Sequence, residues 1–172
     1  KNASTKIKLG LKLLEKRGKD GFGVASEKEV KVNKNLNKLK IPTSHNLFGH
    51  TLHSVVDFVP QPLIREGTLV ANCEIYNWKE LSQTYNLPAK NDAELLLQFL
   101  DKFGVTESSL NELDGVYAFA YWNNNKLFLA RDILGIKPLW YSNEDSFAFA
   151  SERKVLRELG YDNIQELTPR HI

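Results

Sequence analysis

Leu113-Asp114-Gly115-Val116-Tyr117-Ala118-Phe119-Ala120, then Leu129-Ala130-Arg131-Asp132-Ile133-Leu134-Gly135-Ile136-Lys137-Pro138-Leu139-Trp140-Tyr141, then Phe149-Ala150-Ser151-Glu152, is the stretch that decides the fold. Within it, Val116 to Trp122, Lys126 to Arg131 and Phe147 to Ser151 are short apolar runs rich in strand-favouring residues, which predicts three strands. Asn123-Asn124-Asn125 separates the first two and tolerates positive φ, so it reads as a hairpin turn. A closing helix is expected over Glu152 to Leu159, ended by Gly160.

Working back towards the start, Asn91 and Glu94 have the spacing of a capping box ahead of Leu95, Leu96, Leu97, Phe99 and Leu100. A buried helix is therefore expected to begin near Asp92. Leu47 to Leu52 and Thr68 to Tyr76 read as two neighbouring strands, and Gly21 to Ala25 as a shorter one. Ile7, Leu11 and Leu14 recur at helical spacing, predicting an amphipathic helix from about Ser4 to Lys16 that Gly18 can terminate. The lysine-rich segment from Lys28 to Lys40 has only weak strand character and reads as a solvated excursion. Repeats and low-complexity linkers are absent, so residues 1–172 are expected to form one domain, its helices covering a largely antiparallel sheet system.

The composition supports a packed core: of 172 residues, 42% are hydrophobic, 10% aromatic and 26% charged. Twenty-three basic and 21 acidic residues are mixed along the chain, for a net charge of +2. A nucleic-acid partner needs a concentrated basic face, so none is expected. No apolar run approaches the roughly 18 residues that cross a bilayer, and no signal-peptide pattern opens the chain. No membrane partner is therefore expected, and the compartment is expected to be the cytoplasm. Cys73 is the one cysteine, which excludes an internal disulfide framework and a cysteine-based metal site. There is no methionine, so the chain is expected to have been trimmed before Lys1.

The opening phrases, taken with Lys16-Arg17-Gly18-Lys19-Asp20-Gly21, Gly49-His50-Thr51-Leu52, Asp57 with Gln61-Pro62-Leu63, Asn72-Cys73-Glu74-Ile75-Tyr76-Asn77 and Asp92-Ala93-Glu94, form an ordered series. That series resembles the class II glutamine amidotransferase domain of asparagine synthetases. The resemblance implies an α+β fold of the N-terminal-nucleophile hydrolase type, a four-layer αββα sandwich of two antiparallel sheets. In that family the first residue is a cysteine whose thiolate attacks the glutamine carboxamide while its free α-amine serves as base. Residue 1 here is Lys1, so the first strand and its cysteine are expected to be missing.

The resemblance also assigns roles. Asn72 and Cys73 match the Asn-Gly pair of the oxyanion hole, which offers a side-chain amide and the next backbone N–H to the carboxamide oxygen. Cysteine in place of glycine keeps the N–H but is expected to crowd the substrate or resist positive φ. As a nucleophile Cys73 is unsuited, having no free amine and no dyad partner at a suggestive spacing. Glu74 and Asp92 match positions that contact the glutamine α-amine, although Asp92 also suits a first helical turn. Leu52 stands where an arginine would clamp the glutamine carboxylate, leaving His53 or Arg65 as substitutes, and Val56 is a further substrate-binding position.

For the remaining chemistry-bearing residues the plainer readings are preferred. His50 and His53 suit packed or surface strand positions. Arg131 and Asp132 suit a structural ion pair or loop lock. Tyr76, Trp122, Trp140 and Tyr141 suit the core. The expected function is ammonia supply from glutamine for ATP-dependent amidation of aspartate by a second domain. This domain is expected to hold no cofactor, since ATP and magnesium belong to the synthetase domain, and no phosphate loop of that type is present. A possible homodimer follows from the same resemblance. The alternative is a catalytically retired module for dimerisation or ligand sensing.

Overall fold

The computed structural model describes residues 3–18, 20–52, 59–144 and 146–169. Its centre is a four-stranded antiparallel sheet in the order β4-β5-β6-β7, made of Leu63–Ile64, Thr68–Ile75, Gly115–Asn123 and Lys126–Arg131. Asn124 and Asn125 turn β6 into β7 at φ 50 and 59, the two positive values that a two-residue primed turn requires. The expected hairpin is therefore present, with Asn123 opposite Lys126.

Alternate residues of β5 go to opposite sides of this sheet. Leu69, Ala71, Cys73 and Ile75 face one core, where α2 (Trp78–Tyr85) and α3 (Asp92–Phe103) supply Leu81, Leu95, Leu96, Phe99 and Leu100. Val70 faces the other, shared with Ala118, Ala120 and Leu129. The period of two in the strand thus feeds two separate cores. α3 starts where the sequence predicted: the Asn91 side chain accepts from the Glu94 N–H at 2.8 Å, and Glu94 reaches back to the Lys90 N–H at 2.8 Å. The return bond is one residue earlier than a standard capping box.

Over the second face lie two three-stranded pieces. One is β2-β1-β3, from Val30–Asn33, Gly21–Ala25 and Phe48–Leu52; the other is β10-β8-β9, from Gln165–Glu166, Trp140–Ser142 and Ala148–Ala150. Ala25 and Phe48 of the first meet Leu139, Tyr141 and Phe149 around the second, all against the four-stranded sheet. On the outside, α1 (Ala3–Leu14) covers Phe22 and Val24 with Leu11, and α5 (Arg153–Glu158) covers Ala150 with Val155 and Leu156. A short α4 (Glu107–Asn111), capped by Thr106 and Ser109, leads into β6. The layers run α, β, β, α, as expected for the sandwich. Its second β layer is in two pieces, because no described strand lies between the β3 edge and the β9 edge.

Candidate active site

Between those two edges, under α1 and above β5 and β6, a cleft of about 2070 Å³ opens. Asn72, Cys73, Glu74, Asp92, Leu52 and His50 all border it, so the sequence series brings together residues far apart in the chain. Val56 and His53 lie outside the described residues, as does Asp57.

Backbone register decides which groups face the cleft. The Ala71 N–H donates to Gln61 Oε1 at 2.7 Å, on the β4 side of β5. Ile75, four residues on, donates in the same direction to Asp92 Oδ2 at 3.1 Å. Cys73 lies between them with the same parity, and its partner across the ladder, Tyr117, spends both backbone groups on Asp132 instead. The Cys73 N–H therefore points away from β6, off the free side of β5, with no partner among the described residues. Asn72, on the same face as Val70, carries a carboxamide that bonds no described residue. Two adjacent unspent amide donors in a cleft are what an oxyanion site requires.

Of the two costs expected of Cys73, resistance to a positive φ needs correcting. Cys73 lies within β5 at an ordinary negative φ, so no positive φ is demanded. Its side chain packs on the opposite face, beside the start of α3. Burial pushes the thiol pKa up, and the Asp92 carboxylate, which accepts its hydrogen bond, adds to the rise. The thiol is thus protonated and lies beside the Asp92 carboxylate at the cleft border, and a protonated thiol is a poor nucleophile.

Asp92 holds the β5 end through Ile75 and caps its own helix through the Ala93 N–H at 2.9 Å. Glu74 Oε1 is 2.6 Å from Lys137 Nζ, an ion pair that joins β5 to the loop after β7. A substrate ammonium reaching Glu74 would have to share it with Lys137. Arg65 does not replace the missing clamp: its guanidinium lies by Asp101 at 3.3 Å, at the far end of α3. The arginine that does border the cleft is Arg17, 3.3 Å from Glu152, and the following Gly18 packs against the Leu52 backbone.

Two supporting residues went unassigned in the sequence reading. Continuing the β4–β5 register would set Gln61 opposite Ala71, where the chain has already turned away. Its carboxamide replaces the absent backbone rung, accepting from Ala71 N–H and donating Nε2–H to Ala71 O at 3.0 Å. A Cβ on Gly23 would lie 1.8 Å from Gln61 O, so only glycine lets β1 pass this turn. Lys137 is the other, and its signal was its place in the Gly-Ile-Lys-Pro phrase. His50 Nε2 also donates to Ala71 O, at 3.2 Å, while its Nδ1 is shielded, with no partner among the described residues. Burial holds the imidazole pKa down to about 4, against the opposing pull of the Ala71 bond. The residue as a whole is half-buried, but Nδ1 itself has no contact with solvent.

Arg131 and Asp132 form the expected loop lock. Asp132 is 1% exposed and accepts from the N–H groups of Tyr117, Leu134, Ile136 and Lys137. Arg131 donates to the carbonyls of Gly135, Lys137 and Leu167 and to Glu166. Trp122, Trp140 and Tyr141 are half-buried against the cores. Tyr76 is a correction: it is 62% exposed, because it falls just past the end of β5 where no layer covers it.

The family described as "Glutamine amidotransferase domain" matches residues 1–168. The chain belongs to that family. A Methanocaldococcus jannaschii protein assigned as a glutamine-hydrolysing asparagine synthetase is 36% identical over 164 residues, which are 87% of this chain and 29% of that protein. Asparagine synthetase (glutamine-hydrolysing) 3 of Bacillus subtilis is 35% identical over 127 residues, 65% of this chain and 20% of its own. The domain therefore resembles the glutaminase domains of asparagine synthetases and spans under a third of these relatives' length. The fold agrees: the glutamine phosphoribosylpyrophosphate amidotransferase of B. subtilis superposes with a TM-score of 0.79 at 24% identity, covering 98% of this chain and 43% of its own. Among the described residues, no helix is long and apolar enough to cross a membrane, and no group of three His, Cys, Asp or Glu could hold a metal ion.

Proposed function

We propose that this domain binds glutamine and supplies ammonia from it for ATP-dependent amidation of aspartate by a synthetase portion of the same protein, where ATP and magnesium would act. The observation that carries this reading is a pair of donors with no partner among the described residues, the Asn72 carboxamide and the Cys73 N–H, at the edge of a cleft. The carboxamide oxygen of glutamine would sit between them as it gains charge. Asp92 and Glu74 lie beside it to receive the α-amine, although Lys137 already neutralises Glu74.

The attacking thiolate is not Cys73, whose buried thiol is held protonated and which has no free α-amine to serve as base. It would come from a segment entering between the β3 and β9 edges, as in the family, with a terminal cysteine beside Asn72. Asn72→Ala in the protein encoded by the complete reading frame should lower kcat for ammonia release about 10²–10³-fold with little change in KM. Unchanged kcat in Asn72→Ala would refute the oxyanion role.

One observation favours a second reading, a retired module that senses a ligand or pairs with a second copy. Leu52 holds the clamp position, and loss of a charge-assisted fork costs about 1.5–3 kcal/mol of substrate binding. No detectable ammonia release by the wild-type protein, together with retained ligand binding, would favour that module.

A further inference from the structure

Leu52 leaves an apolar side chain at the clamp position, while the Gly-Ile-Lys-Pro loop delivers a cation to the border of the same cleft. The lock after β7 fixes where that cation stands. Lys137 N–H donates to Asp132 Oδ2 at 3.3 Å, and Lys137 O accepts from Arg131 Nε at 2.6 Å, so both backbone groups are held. Its side chain is 19% exposed, and Nζ lies 2.6 Å from Glu74 Oε1. One ammonium proton serves that bond, and among the described residues nothing accepts the other two. A largely desolvated cation with unspent donors, at the border of a cleft, suits an anionic group on a ligand.

We propose that Lys137 receives the α-carboxylate of the substrate, so that the Glu74–Lys137 pair reads an α-amino acid as a zwitterion. This assignment rests on the proposed function and extends it to the α end of the ligand. An α-amino acid carries its ammonium and a carboxylate oxygen side by side on one carbon, at about the separation of the two partners of this pair. Laid alongside it, the four charged groups alternate in sign: the ammonium meets Glu74, with Asp92 bordering the same cleft, and the carboxylate meets Lys137. Neither ligand charge is then left unpaired, and neither protein charge gives up its partner. Glu74 therefore accepts the ammonium without shedding Lys137. The second carboxylate oxygen remains for Arg17, at the Leu52 end of the cleft. Lysine offers a point charge where arginine offers a fork, so the fixed backbone of Lys137 supplies the placement that the fork would have supplied.

The test is calorimetric titration of the protein from the complete reading frame with glutamate and with isoglutamine, the same molecule with its α-carboxylate converted to a neutral amide. Neither carries a side-chain amide that could be hydrolysed during the titration. Wild type should bind glutamate about 10- to 100-fold more tightly than isoglutamine, the worth of one charge-assisted bond. Lys137→Met, with its fold checked by a melting curve, should lose that preference, and Lys137→Arg should keep it. Glu74→Gln should weaken both ligands together and leave their ratio in place, which a merely structural ion pair would not separate from Lys137→Met. Wild type that binds the two ligands equally or binds neither, or a folded Lys137→Met that retains the preference, would overturn the proposal. Ammonia release from glutamine is assayed separately. The preference without ammonia release would reject the functional reading and keep this one, and ammonia release without the preference would do the reverse.

Discussion

Replacing Gln61 by leucine removes a side-chain rung that no neighbouring backbone can supply. Two bonds are lost, at 2.7 Å from Ala71 N–H and at 3.0 Å to Ala71 O. The carbonyl keeps His50 as a donor, but the buried N–H is orphaned. An orphaned buried donor costs about 1–3 kcal/mol and the second bond about 0.5–1.5, so Gln61→Leu should lose roughly 2–4 kcal/mol. At about 2–4 °C per kcal/mol for a domain of this size, the melting temperature should fall by roughly 4–16 °C.

Gln61→Glu sharpens the prediction through its pH dependence. A carboxylate can accept from Ala71 N–H but repels Ala71 O, whereas a protonated carboxyl can donate to it and mimic the amide. The folded state therefore raises the pKa of the introduced carboxyl above its unfolded value. Stability relative to wild type at the same pH should be highest below the unfolded pKa of about 4.3 and should fall as pH rises through the folded one. Urea denaturation across pH reads both effects. A Gln61→Leu loss under about 0.5 kcal/mol, or a Gln61→Glu variant that gains on wild type with rising pH, would refute the rung.

Three further predictions concern His50 beside that rung, Asp132 in the loop after β7 and Arg17 at the cleft. His50 has its folded pKa lowered to about 4 from 6.5. Between those values the unfolded state holds the extra proton, so stability should fall by up to about 3 kcal/mol as pH drops from 6.5 to 4, and His50→Gln should flatten that slope in acid titrations followed by circular dichroism. Asp132→Asn turns an NH₂ towards two N–H groups now bound by the carboxylate, which should cost about 3–5 kcal/mol in urea denaturation and release Lys137 from Glu74. Arg17→Ala should raise the glutamine KM with kcat unchanged in a steady-state ammonia assay, since Arg17 is the cleft-lining arginine nearest the position held by Leu52.

The sequence exposes elements whose signals are local. The Asn91 cap, the Asn124-Asn125 turn and the β7 limits at Lys126 and Arg131 rest on propensity and neighbouring bonds, and they stand where expected. β4, β8, β10, α2 and α4 went unread, being short elements whose order comes from neighbours rather than from a period of their own. The site divides the same way. Asn72 and Cys73 follow from the resemblance, but which way Cys73 faces depends on strand parity fixed by Gln61, Asp92 and Asp132, which stand well away from it in the chain. Arg65 misled because its partner, Asp101, sits one α3 length away from the cleft, a distance the sequence does not show.

The central claim is that the Asn72 carboxamide and the Cys73 N–H together receive the amide oxygen of glutamine. The direct measurement is a ¹H–¹⁵N correlation spectrum of the labelled protein from the complete reading frame, titrated with glutamine and, separately, with asparagine. Saturable downfield shifts of the Asn72 side-chain amide and the Cys73 backbone amide, larger for glutamine than for asparagine, are predicted. Saturable glutamine shifts elsewhere in the protein, with these two resonances unmoved, would contradict it.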